Sequence, residues 1–560
     1  MVTDRKRIFI SLITGLICAS FMAVGFDMDH YGELNPGTVS VLIFAITLAV
    51  MCAASYLLLG VRRDISHFLS RRVSVRLPFV VTWLIIIGCW IPVLLAEYPG
   101  FFVYDAVDEY VSVATRTFTT HHPLLHTLLL GGAVYGGEVK LGSANAGIML
   151  YISVQMLLLS YIFAGTVDRM KSFRLTATLF YALFPTVVMF ALCSVKDTLF
   201  AAAMLAFVVD RGGSACQRDG SSDIKCVGRT VPLTHTLTHA IPLTLMMLLR
   251  HNAVYAVFVL LAAEIIAAAA ESSKPSLRSA SDDPGLPEDS GSPSSSFTRY
   301  GRLISVAVSL ILYFAINTVL VMATGADTGI REHQEILTVP IQQIARTYDT
   351  YSDELSREEE EKLFEYLPEE AFVHYTPQLS DPVKMYFDND AYEADPSGFW
   401  DIWKRGLAAH PVSYINAWLN TCYGYFYPIT VVYVYEGHTV YTFTYTESSY
   451  FGYEVEYPGT RHSLIPVIDR FYRWISLDDD IQRIPVISLT FSMAALAWVY
   501  LLAMSVFIYG RERELVITYI LPAAVWATLL PGPTFLPRYT VFLWFLLPYT
   551  VDRMLDPDMI

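Results

Sequence analysis

Three carboxylates and three histidines crowd into "YPGFFVYDAVDEYVSVATRTFTTHHPLLHT", residues 98–127 of a chain that elsewhere is mostly apolar. Asp105 and Asp108 stand three positions apart and Asp105 and Glu109 four, so on a helix all three share one face. Like charges that close repel, which raises the pKa of one member and prepares a proton acceptor near neutrality. His121, His122 and His126 follow, with Pro123 ending one helix and starting the next. Imidazoles there can orient a hydroxyl or an anion. Spacing alone equally allows a solvated acidic helix with histidines at an interface.

Cations stand at three other places. Lys196 and Asp197 sit in "SVKDTLF" between two apolar runs. Arg250, His251 and Asn252 break "LMMLLRHNAVYAV", and Arg538 and Tyr539 break "GPTFLPRYTVFLW". An arginine near hydrocarbon is costly, so it snorkels to the helix end, finds a partner or faces a polar cavity. Taken together, Lys196, Arg250 and Arg538 suit an anionic lipid phosphate, which arginine grips as a planar fork. Gln342, Gln343 and Arg346 in "VPIQQIARTY" either line an acceptor groove or form the polar face of a helix lying on the membrane. The tyrosine run from 423 to 457, with Tyr425 and Tyr427, reads as an aromatic belt plus strand residues or as a platform for stacking sugars. Carboxylates and histidine can bind Mg²⁺ or Mn²⁺. No known metal signature is present, because "HHP" lacks the helical Glu and the i, i+4 pair of HExxH, and His122 with His126 alone is too little. No metal ligand is therefore assigned.

These residues need elements to hold them. Of 560 residues 54% are hydrophobic and 16% charged, which makes a polytopic membrane protein the expected class. Crossing ~30 Å of hydrocarbon takes about 20 apolar residues as helix. Twelve spans are predicted, near 8–25, 39–60, 77–96, 144–165, 175–193, 197–210, 233–249, 252–270, 303–323, 484–509, 515–531 and 538–551. The first follows Arg5, Lys6 and Arg7 and has no small-residue cleavage site, so it reads as a retained helix and not a signal peptide. Arginines crowd "VRRDISHFLSRRVSVR", which is placed in the cytoplasm with both termini. Loop 97–143, carrying the acids, then falls outside.

The organisation expected is an N-terminal transmembrane module (1–323) with a Ser- and Pro-rich disordered linker at 271–302, an extracytoplasmic region (324–483) and a C-terminal transmembrane module (484–560). In the middle region "LSREEEEKLFEYL" is predicted helical with Ser356 as N-cap. "GFWDIWKRGLAAHPVSYINAWLNTCYGYFYP" is predicted to be an interfacial helix. The fold class is all-α polytopic, about twelve transmembrane helices, with a mixed α/β extracytoplasmic region. The net charge of −15 gives no reason to expect nucleic acid, and the seven cysteines form neither a disulfide framework nor a metal set.

In this layout the chain resembles the GT-C superfamily of integral-membrane glycosyltransferases. More narrowly, "YPGFFVYD", "HHPLLHT", "SVKDTLF", "RHN", "VPIQQIAR", "YGYFYP" and "LPRYT" resemble an uncharacterised bacterial multi-spanning family of unknown function with glycosyltransferase-like features. The resemblance runs from about residue 77 to the C-terminus, without the linker. It implies a sugar transferred from a polyprenyl-phosphate carrier to a glycan, lipid or protein on the outer face of a bacterial cytoplasmic membrane. The superfamily's acidic site is often an adjacent Asp-Glu pair, matched here by Asp108-Glu109, whereas the narrower pattern points to Asp105. One of these takes the acceptor's proton, Arg250, Arg538 and Lys196 hold the carrier phosphate, and His121 and His122 orient acceptor or phosphate. Opposite-face attack would invert the anomeric centre. A transporter or flippase is the rival reading, although it should show matched halves with broken helices. A structural scaffold is a third.

Overall fold

A computed structural model describes residues 2–72, 76–213, 232–272, 294–328, 332–432, 455–477 and 480–556. Among them there is no strand, only isolated β-bridges, so the chain is an all-α polytopic membrane protein in its described parts. Seven helices are long and apolar enough to cross a membrane, or eight if a bent pair is one span. They include α1 (Val2–Tyr31), α2 (Thr38–Arg72) and α3 (Phe79–Ala96). Two helices then occupy the expected external loop, α4 (Ala106–Thr115) and α5 (Leu124–Leu141), before the span α6 (Ala144–Arg169).

The bent pair is α7 (Arg174–Leu183) with α8 (Pro185–Ala191), which meet at 57°. Proline explains the bend. Pro185 has no N–H to continue the ladder and pushes Phe184 into an extended conformation (φ −68°, ψ 121°). The rest of the predicted twelve are shorter or more charged: α9 (Lys196–Gly213), the apolar part of α10 (Pro232–Leu249), Arg513–Leu529 and Val541–Met554. Two further spans are α11 (Ala253–Ser272) and α12 (Ser294–Thr324). Helix α12 begins inside the stretch expected to be a disordered linker, and residues 273–293 lie outside the described ones.

The region 324–483 is helical with irregular connections where it is described, and holds no strand there. Of the tyrosine run 423–457, where strand residues are one expectation, residues 423–432 and 455–457 hold a 3-10 turn (Tyr423–Tyr425) and irregular chain, and 433–454 lie outside the described residues. Ser356 caps Arg357–Phe364 as predicted, in a full capping box with Glu359. The segment expected to be one interfacial helix breaks at His410-Pro411 into Pro396–Ala409 and Pro411–Cys422. Its tryptophans are half-buried. Trp400 and Trp403 pack against a second core around Ile341, Leu367 and Phe399, and the Trp418 indole N–H donates to the Leu530 carbonyl at 2.9 Å.

Packing around the acid-rich loop is tight. Helix α4 lies on α5, which lies on α6. Gly131 permits this, since a Cβ there would run into the Glu109 carbonyl.

Candidate functional site

The backbone ahead of Asp105 is held from both sides. The Phe101 N–H donates to the Leu192 carbonyl and the Ser194 N–H to the Phe101 carbonyl, both at 2.9 Å. On the other side the Glu456 N–H donates to Phe102 (2.8 Å) and the His462 N–H to Tyr98 (2.9 Å). Arg461 ties the same segment to Glu97 and to Asp469. From α6, the Gln155 amide donates to the carbonyls of Ala191 (3.0 Å) and Cys193 (2.8 Å). The loop is thus a rigid seat. Tyr104, next to Asp105, adopts φ +60°, a region costly for a bulky residue and found where surroundings impose it.

Asp105 stands at the N-cap of α4 yet makes no capping bond with its side chain. It gives up roughly 1 kcal/mol of helix stabilisation and turns its carboxylate to cations instead. The Lys196 ammonium, first residue of α9, donates to Oδ2 at 2.5 Å and Arg538 Nη1 donates to the same oxygen at 3.3 Å. His122 Nδ1 is 3.9 Å away, and Lys196 also approaches that nitrogen at 3.3 Å. Burial pushes the Asp105 carboxyl up, but Arg538, Lys196 and His122 outweigh it and hold the group well below the usual carboxylate range. Its side chain keeps 24% of its surface exposed, so the cluster is open to a ligand.

The second carboxylate of the cluster is Asp197, buried in the first turn of α9, where Arg250 donates to it at 2.5 Å. The Arg250 guanidinium lies 5.0 Å from the Tyr539 ring centre, and that of Arg538 lies 4.5 Å from Tyr104 and 4.8 Å from Tyr539. Lys196, Arg250 and Arg538, widely separated in sequence, therefore meet at Asp105 and Asp197. Asn252 joins from beside Arg250, its amide donating to Thr528 Oγ1 at 2.8 Å. Burial and then Lys196 push the His251 imidazole down to about 4.

The three acids do not share one solvent face, which corrects the expectation of a repelling trio. Asp108 is open, with 72% of its side chain exposed. Glu109 is 1% exposed and accepts from His126 Nδ1 at 2.5 Å, while His126 Nε2 meets the Tyr151 hydroxyl at 2.8 Å. This buried chain clamps α4, α5 and α6 together. No raised carboxyl results at Asp105, because cations and not acids surround it. His121 turns away to Glu332 at 2.8 Å.

Other expected residues hold structure. Tyr425 and Tyr427 are buried, so neither offers a stacking surface to a sugar. The Tyr425 hydroxyl donates to the Thr534 carbonyl (3.0 Å) and props the turn that presents Arg538. The Gln342 amide donates to Thr376 (2.6 Å) and Pro377 (3.2 Å), and that of Gln343 to Tyr414 (3.1 Å), inside the helical unit of region 324–483. Arg346 lies beside Tyr375 in that unit. Tyr104, Tyr151 and Glu332 were not legible as partners, since nothing in their spacing marks them.

Mg²⁺ or Mn²⁺ would need carboxylate oxygens free to coordinate. The donor set as built does not fit, because the Lys196 ammonium takes the place on Asp105 Oδ2 that a cation would occupy. Among the described residues no three His, Cys, Asp or Glu side chains are grouped to hold a metal.

No curated protein and no solved structure matches the chain. The match to a family model begins at Asp108, inside α4, and takes in Lys196, Arg250 and Arg538. With residues 108–274 and 297–548 matched, the chain belongs to a family of unknown function, DUF6020.

Proposed function

We propose that this protein is a membrane glycosyltransferase that moves a sugar from a polyprenyl-phosphate carrier to an extracytoplasmic glycan, lipid or protein acceptor, inverting the anomeric centre, with Asp105 as base. The observation that carries the reading is the Asp105 carboxylate held between Lys196 and Arg538. A glycosidase needs two carboxyl groups, because an alkoxide leaves poorly without a proton. A phosphate leaves as an anion, so one base and a set of cations suffice. Lys196 and Arg538 turn from the carboxylate to the donor's phosphate, and Arg250 stands behind them. Asp105 loses the charges that hold its pKa down and becomes a proton acceptor as the donor seats. Glu109 is a weaker choice for base, being closed off with His126.

A lipid carrier also needs room for its chain. A lateral cavity of about 800 Å³, lined by Met22, Phe180, Phe184, Leu489, Trp498 and Leu547, is almost wholly apolar. Leu547 belongs to the helix Val541–Met554, which follows directly from the turn carrying Arg538. The full layout in this reading has twelve crossings of a bacterial cytoplasmic membrane, both termini inside and the Asp105 cluster outside.

The test uses purified protein in nanodiscs and a panel of radiolabelled polyprenyl-phosphate sugars, with sugar released or transferred as readout. Asp105→Asn is expected to bind donor without turning it over, whereas Glu109→Gln keeps turnover in whatever fraction folds. An Asp105→Asn protein as active as wild type would sink the assignment. Donor crossing a sealed vesicle with its sugar–phosphate bond intact would favour a transporter instead.

A further inference from the structure

We infer that His122 and Asp108 form a proton exit from Asp105, a role that rests on the glycosyl-transfer reading above. Any base at Asp105 must shed its proton before the next cycle, and Asp105 is partly enclosed. His122 lies between it and the surface. Its Nδ1 faces Asp105 Oδ2 at 3.9 Å and its Nε2 faces Asp108 Oδ2 at 3.7 Å. His122 keeps 13% of its side chain exposed against 72% for Asp108, so the three groups run from the site to solvent.

The polarity of the imidazole suits this direction. Lys196 is 3.3 Å from Nδ1 and, as an ammonium, can only donate, so Nδ1 carries the lone pair and Nε2 the hydrogen. The lone pair thus points at the base and the N–H at the exposed acid. The other groups around His122 are His121, its ring centre 4.6 Å away and paired to Glu332, and His251 near Lys196. Asp105 and Asp108 come from α4, Lys196 from α9 and Arg538 from beyond Asp105.

The steps balance. The acceptor's O–H bond breaks, its oxygen forms the bond to the anomeric carbon, and the carbon–oxygen bond to phosphate breaks with its electron pair on the phosphate. The proton goes to Asp105 Oδ2. With Lys196 drawn to the phosphate, Nδ1 is released and the carboxyl passes its proton there. The imidazolium then gives the Nε2 proton to Asp108, from which water takes it, and loss of the Nδ1 proton with uptake of one from water at Nε2 restores the first tautomer. Gaps of 3.7 and 3.9 Å close by side-chain rotation or one water.

The test needs no donor. Full-length protein with isotopically labelled histidine is placed in nanodiscs, and the His122 signals are identified by their loss in His122→Gln. The relay requires the Nε2–H tautomer at neutral pH and an Nε2–H signal that moves in Asp108→Asn, since that N–H faces the Asp108 carboxylate at 3.7 Å. A hydrogen on Nδ1, or an Nε2–H signal unmoved by Asp108→Asn, overturns it. Where a donor turns over, His122→Ala should lose at least about tenfold in kcat with KM unchanged, and imidazole in the buffer should restore part of it. Loss of donor binding without rescue would mean a structural role and also overturns the relay. If wild type turns over no donor, the transferase reading fails, while the tautomer and the Nε2–H signal still decide the proton path.

Discussion

Helix α9 carries a charge cluster at each end, and the two are built to opposite designs. At its start Lys196 and Asp197 join Arg250, Arg538 and Asp105, three cations against two carboxylates among the described residues. At its far end Arg211 pairs with Glu264 and lies 3.9 Å from Glu514, which Arg302 also contacts, two cations against two carboxylates among these four residues. The central pair there is closed, Arg211 being 3% and Glu264 5% exposed, while Glu514 and Arg302 keep 29% and 21%. At the start of the helix Asp105 keeps 24% exposed and does not cap its own helix. Both ends use the same residue types, so burial of the central carboxylate and charge count, not composition, set them apart.

The largest expected effect breaks the open cluster at its centre. Asp105→Asn should lower turnover about 10³-fold, within the ~10²–10⁴ range of a lost general base, with donor retention in a filter-binding assay unchanged or improved. Next comes its cation rim. Arg538→Ala or Lys196→Ala should each cut kcat/KM by about 10², and Arg538→Lys should recover only part, because an ammonium lacks the planar fork.

The closed cluster should answer differently. Arg211→Ala leaves Glu264 buried without its partner and should cost about 3–5 kcal/mol of stability, read as a fall in Tm, while turnover per folded molecule stays near wild type. If Arg211→Ala instead removed activity at unchanged Tm, the distinction between the two ends would collapse.

The smallest effect concerns pH. The His251 imidazole, pushed down to about 4 from an ordinary 6.5, stays neutral in the folded protein where an unfolded chain would take up a proton. Stability should therefore fall as pH drops from about 6.5 towards 4 and not change on this account above 6.5. His251→Gln should flatten that limb in thermal melts. Asp105 has the opposite sign: its lowered pKa contributes stability above the ordinary carboxyl range, lost only as pH falls through the lower folded value. It adds nothing to the limb between 6.5 and 4.

Much of this was legible from residue types alone. Apolar runs foretold a membrane protein, and Lys196, Arg250 and Arg538 stand out as charges at span ends, although the sequence does not show that they pair with Asp105 and Asp197. What failed was direction. Periodicity places Asp105, Asp108 and Glu109 close together on α4, but cannot say which way that helix faces. Helix α5, seated on α4 by Gly131, takes Glu109 into the core and leaves Asp108 in solvent. The same ambiguity misled at Gln342, Gln343, Tyr425 and Tyr427. Polar and aromatic side chains that bond backbone carbonyls within a fold carry no mark distinguishing them from those that meet a ligand.

Asp105 and Arg538 lie 433 positions apart, and Asp105 and Lys196 only 91. Synthesis runs from the N-terminus at about 5–20 residues per second, so Arg538 emerges roughly 20–90 s after Asp105. During that interval the nascent aspartate has Lys196 as its partner and the two charges cancel. The surplus of positive charge arrives with the last helices to be threaded into the membrane. In the proposed reading, a chain still being made would have no hold on a donor phosphate, and the grip would switch on only when assembly is nearly done.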